Sequence, residues 1–150
     1  MAIEDTTKLI SSLTEHGTPA DMDYVLRRRY VRIEPQLFTS ALAGRKTYFI
    51  AEKALTIKSI KMVALSGLAA NAASMDYTPG KRTAGGASTA VATKFSGVAD
   101  TVAALVPYEF TLTAANVQMA EGQLFEVLDA AVGGGRNDGR IMFDIGYEYQ

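Results

Sequence analysis

The chain has 150 residues and a mass of 16.1 kDa, the size of one domain, and its 48% apolar content is enough for a hydrophobic core of its own. A formal net charge of −1 and a pI near 5.8 argue against nucleic acid or an anionic membrane surface as a partner. The absence of cysteine excludes disulfides and thiolate chemistry, no apolar run approaches the roughly 20 residues of a membrane span, and the start Met-Ala-Ile-Glu-Asp lacks the pattern of a secretory signal, so a protein made and used without secretion is expected.

Residues 1–17 are polar, with Ile3, Leu9, Ile10 and Leu13 as their apolar anchors, and read as an N-terminal arm. Thr18-Pro19-Ala20-Asp21 then offers a helix cap with proline at the first helical position. Arg27, Arg28 and Arg29 suit the negative end of a helix dipole, which predicts a short helix over about 19–28. From Tyr30 the period changes to two, with Val31 and Ile33 alternating with Arg32 and Glu34. Thr47 to Ala51 is a second β-rich run and Leu55 to Leu65 a third. In the third the alternation slips, because Leu55 and Ile57 have one parity and Ile60 and Met62 the other, and a bulge near Lys58–Ile60 would reconcile the halves.

Val91 to Phe95 is a fourth run, and Tyr108, Phe110 and Leu112 define one face of a fifth. Leu124 to Val132 is mixed, as expected of a strand buried on both faces. In the last run Ile141, Phe143, Ile145, Tyr147 and Tyr149 alternate with more polar residues. Short strands separated by Gly, Asn and Asp turns predict an all-β fold, an antiparallel β-sandwich formed as one domain over 18–150. Ser66 to Thr89, rich in Ala, Gly, Ser and Thr, reads as one long contact loop over 66–89. Charge divides along the chain: residues 45–95 carry a net +6 and residues 96–150 a net −6. Cross-strand ion pairing inside one molecule accounts for this, and head-to-tail attraction between copies is the alternative.

Chemistry-bearing motifs are sparse. With one histidine, His16, and no cysteine, no transition-metal site is expected, and Asp21 with Asp23 lacks the remaining ligands of a calcium loop. Pro79-Gly80-Lys81-Arg82 fails the P-loop pattern, since Met75 and Arg82 occupy positions that require Gly and Ser or Thr. Gly86-Ala87-Ser88-Thr89-Ala90 misses the nucleophile elbow at its last position. Glu109, Glu126, Asp144 and Glu148 fall at outward strand positions, where solvated carboxylates are usual. The expectation is therefore a binding protein without catalytic residues, metal or cofactor. Arg27–Arg29 with Arg32 is the densest basic patch, and the acidic pI points it toward a helix end or an acidic protein partner rather than phosphates.

The last third has a recognisable grammar. Tyr108 to Thr113 is followed by Asn116-Val117, then by Ala120-Glu121-Gly122-Gln123-Leu124-Phe125-Glu126-Val127, and a Gly-rich turn from Gly133 to Gly139 leads into Ile141 to Tyr149. Over about 105–150 this resembles the small jelly-roll proteins that decorate tailed-bacteriophage capsids. The resemblance implies a jelly-roll-like sandwich and a cement protein, usually a homotrimer, bound to the major capsid protein on the head exterior. It would be made in the host cytoplasm and reside in the virion. Contacts with partners are then expected from Ile3, Leu9, Ile10, Leu13, Arg27, Arg28 and Arg29, and from Lys81 and Arg82 in the 66–89 loop. A ligand- or receptor-binding jelly roll, or a phage tail or connector adaptor, fits the same grammar.

Overall fold

The computed structural model describes residues 28–32, 36–38 and 44–150, which form two antiparallel sheets packed face to face. The strands are β1 (Arg28–Arg32), β2 (Gln36–Phe38), β3 (Gly44–Ile50), β4 (Leu55–Ala64), β5 (Ser74–Arg82), β6 (Thr89–Ala90), β7 (Pro107–Glu109), β8 (Gln118–Met119), β9 (Leu124–Val132) and β10 (Gly139–Tyr149). One sheet has the order β1-β10-β4-β7, with β2 also on β10 and β8 also on β4, and the other has the order β3-β9-β5-β6. Taking β1 with β2 as one interrupted strand and β7 with β8 as another leaves eight strands, in the sheet orders 1-8-3-6 and 2-7-4-5. That is the double Greek key of a jelly roll. The expected all-β sandwich is the fold.

The alternating sequence of β10 explains its central place. Ile141, Phe143 and Ile145 are fully buried, and Tyr147 and Tyr149 pack on the same core. Its neighbour β4 buries Leu55, Ile57, Ile60, Met62 and Ala64. The parity slip between Ile57 and Ile60 is a bulge: Ile57 pairs with Tyr147 and Ser59 with Gly146, which leaves Lys58 as the extra residue, exposed. Without it one half of β4 would turn its apolar side chains to water. Opposite these, β9 contributes Phe125 and Val127 and β5 contributes Met75 and Tyr77, all buried. Phe143 bridges the two layers, with ring centroids 5.6 Å from Tyr48 on β3 and 6.2 Å from Phe110.

Three expectations are corrected. Residues 66–89 are not one loop, because β5 occupies 74–82 and β6 occupies 89–90. Proline and glycine hid β5. Pro79 is tolerated because its carbonyl accepts the Val91 amide at 3.0 Å, so its missing donor faces the short β6 side of the ladder rather than β9. Arg28, placed at the end of a helix, lies in β1 opposite Glu148, whereas residues 19–27 of that helix and the arm 1–17 lie outside the described residues. Glu126, expected to be solvated, is fully buried.

Candidate functional site: an apolar platform of loops

The charge division resolves into pairs between strands. Lys46 meets Asp129 at 2.9 Å, Lys58 meets Glu148 at 3.0 Å, Lys61 meets Glu109 at 3.6 Å and Arg82 meets Glu126 at 2.5 Å. Each joins a cation of the positive stretch to an acid of the negative one, across β3–β9, β4–β10, β4–β7 and β5–β9 respectively. These are the intramolecular pairs that the charge pattern allowed. They also fix two residues singled out as partner contacts, since Arg82 is held by Glu126 and Lys81 donates to the Gln118 carbonyl. Arg28 and Arg29 are joined to β10 through the β1 ladder, and Ile3, Leu9, Ile10, Leu13 and Arg27 lie outside the described residues. Of the expected contacts, only the side chains of Lys81 and Arg82 fall among those described, and both are engaged within the molecule.

Between the sheets, toward the end where β4 finishes and β5, β7 and β10 begin, lies a polar cluster. Tyr77 donates its hydroxyl to Asp138 Oδ2 at 2.6 Å, and Arg136 Nε donates to Asp138 Oδ1. Arg136 Nη1 also donates to the Ala69 carbonyl, which ties the β9–β10 turn to the β4–β5 connection. Lys46 Nζ, paired with Asp129, stands 4.4 Å over the Phe38 ring. Burial, then the bond to Asp138, holds the Tyr77 phenol well above its ordinary pKa, and burial followed by the Asp129 charge does the same for Tyr48. Both rings thus resist ionisation only while folded. Stability is fully present below about pH 10, and above it unfolded tyrosines ionise while these two do not. Stability is expected to fall progressively as the pH rises above about 10, and Tyr77→Phe removes one share of that slope. Urea titrations between about pH 9 and 11 measure it; equal slopes for wild type and variant would contradict the assignment.

This cluster supports the loops above it. Residues 65–73 and 130–135 carry no charged side chain, and 96–107 carry only Asp100, whose carboxylate accepts the Ser96 amide at 2.7 Å. Leu68 and Val102 exchange backbone hydrogen bonds of 2.7 and 2.8 Å, joining the β4–β5 and β6–β7 connections into one platform. Gly67 allows the approach: its φ is +66° and a Cβ there would lie 3.0 Å from the Ala104 amide nitrogen. The Asp76 carboxylate holds the far side, through Lys94 at 2.6 Å and the Gly97 amide at 3.1 Å.

On this ordered base Leu65, Val98, Leu105 and Val106 are exposed. Leu105 is 67% exposed and has φ 61°, the one positive φ at a non-glycine position among the described residues. Its amide donates to the Ala64 carbonyl at 2.9 Å, which keeps the backbone in that conformation. Beside it runs an open groove of about 430 Å³ between Ser66–Ala69 and Thr101–Ala103. Sequence reasoning expected contacts from the 66–89 side of this surface but missed the other side, because residues 96–106 lack a period. The available signal was the uncharged run Val102-Ala103-Ala104-Leu105-Val106 just before Pro107.

Two smaller depressions lie elsewhere: one of about 350 Å³ beside Lys81, Gln118 and Gln150, and one of about 160 Å³ between Phe49, Ile50 and Tyr147. Among the described residues no group of three or more His, Asp or Glu side chains is placed to hold a metal ion.

No protein-family model matches the chain, and no curated protein matches it. Among solved structures it is similar to a chain in the structure of the infectious bursal disease virus Gx strain, with 16% identity and a TM-score of 0.42. That match covers 82% of this chain and 32% of the other, so the protein spans about a third of that neighbour's length.

Proposed function

We propose that this chain is a structural virion protein, a jelly roll that decorates a bacteriophage head by binding the major capsid protein on its exterior and that works by binding rather than by catalysis. The observation that carries this reading is the uncharged platform, where exposed aliphatic side chains are held on ordered loops. Exposed aliphatic side chains of this kind suit a protein partner better than water. The strand order is one that viral capsid domains also use. A sugar-binding jelly roll is the less favoured reading, because the partly buried rings Phe49, Tyr147 and Tyr149 already pack on one another.

In this reading the N-terminal segment, through Ile3, Leu9, Ile10 and Leu13, and Arg27–Arg29 supply the contacts with the shell, and several linked copies bind by avidity although each contact is modest. The test is co-sedimentation of the purified chain with heads lacking it, prepared from the phage that carries its gene. Saturable binding is expected, and deletion of residues 1–17 abolishes it while the far-UV β spectrum is retained. Absence of saturable binding by the intact chain would overturn the proposal.

A further inference from the structure

Lys46 on β3 and Asp129 on β9 are diagonal neighbours across one ladder, since Lys46 pairs with Val127 and Gly44 with Asp129. Asp129 has the parity of the buried Phe125 and Val127, which places it on the inner face of its strand. Lys46 reaches it there, with Nζ 2.9 Å from Oδ2 and 4.4 Å over the Phe38 ring. The Lys46 side chain is 15% exposed and the Asp129 side chain 0%. We propose that this pair is the site of an intramolecular isopeptide bond, an amide between Lys46 Nζ and Asp129 Cγ that braces β3 to β9. The inference is independent of what the chain binds.

The ammonium and the carboxylate together hold every atom the reaction needs. Lys46 passes one proton to Oδ2 along their hydrogen bond, which leaves a neutral amine and a neutral acid. The nitrogen lone pair then forms the N–Cγ bond while the carbonyl electron pair moves onto Oδ1. A second nitrogen proton goes to Oδ2, the Cγ–Oδ2 bond breaks, and Oδ2 departs as water while the carbonyl re-forms. The amide keeps Oδ1 and the third proton, so atoms and charge balance without a co-reactant.

The surroundings favour this step at this pair. Burial penalises separated charges, so neutralisation within the pair costs less here than at the surface. Contact with Oδ2 sets the amine near the roughly 3–3.5 Å of a near-attack arrangement. Oδ1, on which negative charge develops, has no hydrogen-bond partner among the described residues. Neither has the buried Tyr48 hydroxyl, which feels the Asp129 charge and is a donor at hand for the oxyanion. Asp138, the neighbouring buried carboxylate, is held by Tyr77 and Arg136 and does not compete for the amine. In the pairs Lys58–Glu148, Lys61–Glu109 and Lys94–Asp76 the lysine is 40% or more exposed, and the guanidinium of Arg82 stays protonated and is no nucleophile. In a chain without cysteine, the amide supplies the covalent brace that a disulfide gives elsewhere, and it closes a loop between positions 83 residues apart.

The experiment is intact-mass spectrometry of the denatured full chain, followed by proteolysis and peptide mapping, with Lys46→Arg as the variant that keeps the charge. The wild type is expected to be lighter than its sequence requires by the mass of one water molecule. Its digest is expected to contain a branched peptide joining Lys46 to Asp129. Lys46→Arg and Asp129→Ala are expected at their full sequence masses, the first with the far-UV β spectrum retained. A wild type at full sequence mass overturns the inference. So does a missing water that persists in Lys46→Arg, or one that maps to other residues, such as an aspartate cyclised on its own backbone. The branched peptide of the wild type decides the matter whether or not either variant folds.

Discussion

Arg82→Met is expected to lower the unfolding free energy by about 3 kcal/mol, far more than an ordinary surface arginine. Glu126 lies on the outer face of the β3-β9-β5-β6 sheet, yet it is fully buried, and among the described residues its Oε1 has no hydrogen-bond partner. The Arg82 guanidinium, whose side chain is 18% exposed, reaches Glu126 Oε2 at 2.5 Å and compensates the charge. Removing the cation strands a carboxylate that cannot regain its water. The double variant Arg82→Met with Glu126→Leu is expected to recover most of the loss, because two apolar side chains of similar size leave no unpaired charge. Urea unfolding of the wild type, both single variants and the double closes the cycle. A cost below about 1 kcal/mol for Arg82→Met would mean that Glu126 finds water or a proton when its partner leaves. By contrast Lys61 and Glu109, both well exposed at 3.6 Å, are expected to contribute less than about 1 kcal/mol.

Phe143→Ala is expected to cost about 3–5 kcal/mol, and Phe143→Leu about 1.5 kcal/mol or less. The ring is fully buried on the middle strand of one sheet and makes contact across the layer gap with Tyr48, as well as with Phe38 at 6.0 Å between centroids. Alanine leaves a cavity that flanking strands cannot close without breaking the β10 ladders to β1 and β4, whereas leucine refills much of it. The denaturant midpoint should fall with the slope unchanged. A similar small cost for both substitutions would show that the sheets collapse onto the gap, and that the core is less tightly packed than the ring contacts imply.

How far the fold was legible follows from how each strand is buried. β10 alternates because one face meets the core, and the slip in β4 was visible because a bulge must restore that alternation. β5 was hidden for the opposite reason. It is covered on both faces, so Ser74, Asp76, Pro79 and Gly80 are all buried and no apolar period survives. Glu126 misled for a related reason: its outward position was legible from the strand's parity, but burial of an outer face depends on neighbours that local sequence does not reveal. The platform was least legible of all. It depends on Gly67 and Leu105 adopting left-handed backbone and on loops far apart in sequence meeting through Leu68 and Val102. Lys81 and Arg82 looked like free cations in a loop because their partners, Gln118 and Glu126, lie 37 and 44 residues away.

The sheet orders also govern when this chain can fold. β9 lies between β3 and β5, and β10 lies between β4 and the β1 and β2 pair, so one interior strand of each layer comes from residues 124–149. A nascent chain that has emerged only to residue 120 can pair β4 with β7 and β8, and β5 with β6, but β1, β2 and β3 have no strand beside them, and the positive middle stretch lacks most of its acids. Neither sheet can be completed at that stage of synthesis. Both wait for the same two late strands, β9 and β10, one for each layer, and the edges of a partly made chain stay exposed to neighbours until they arrive.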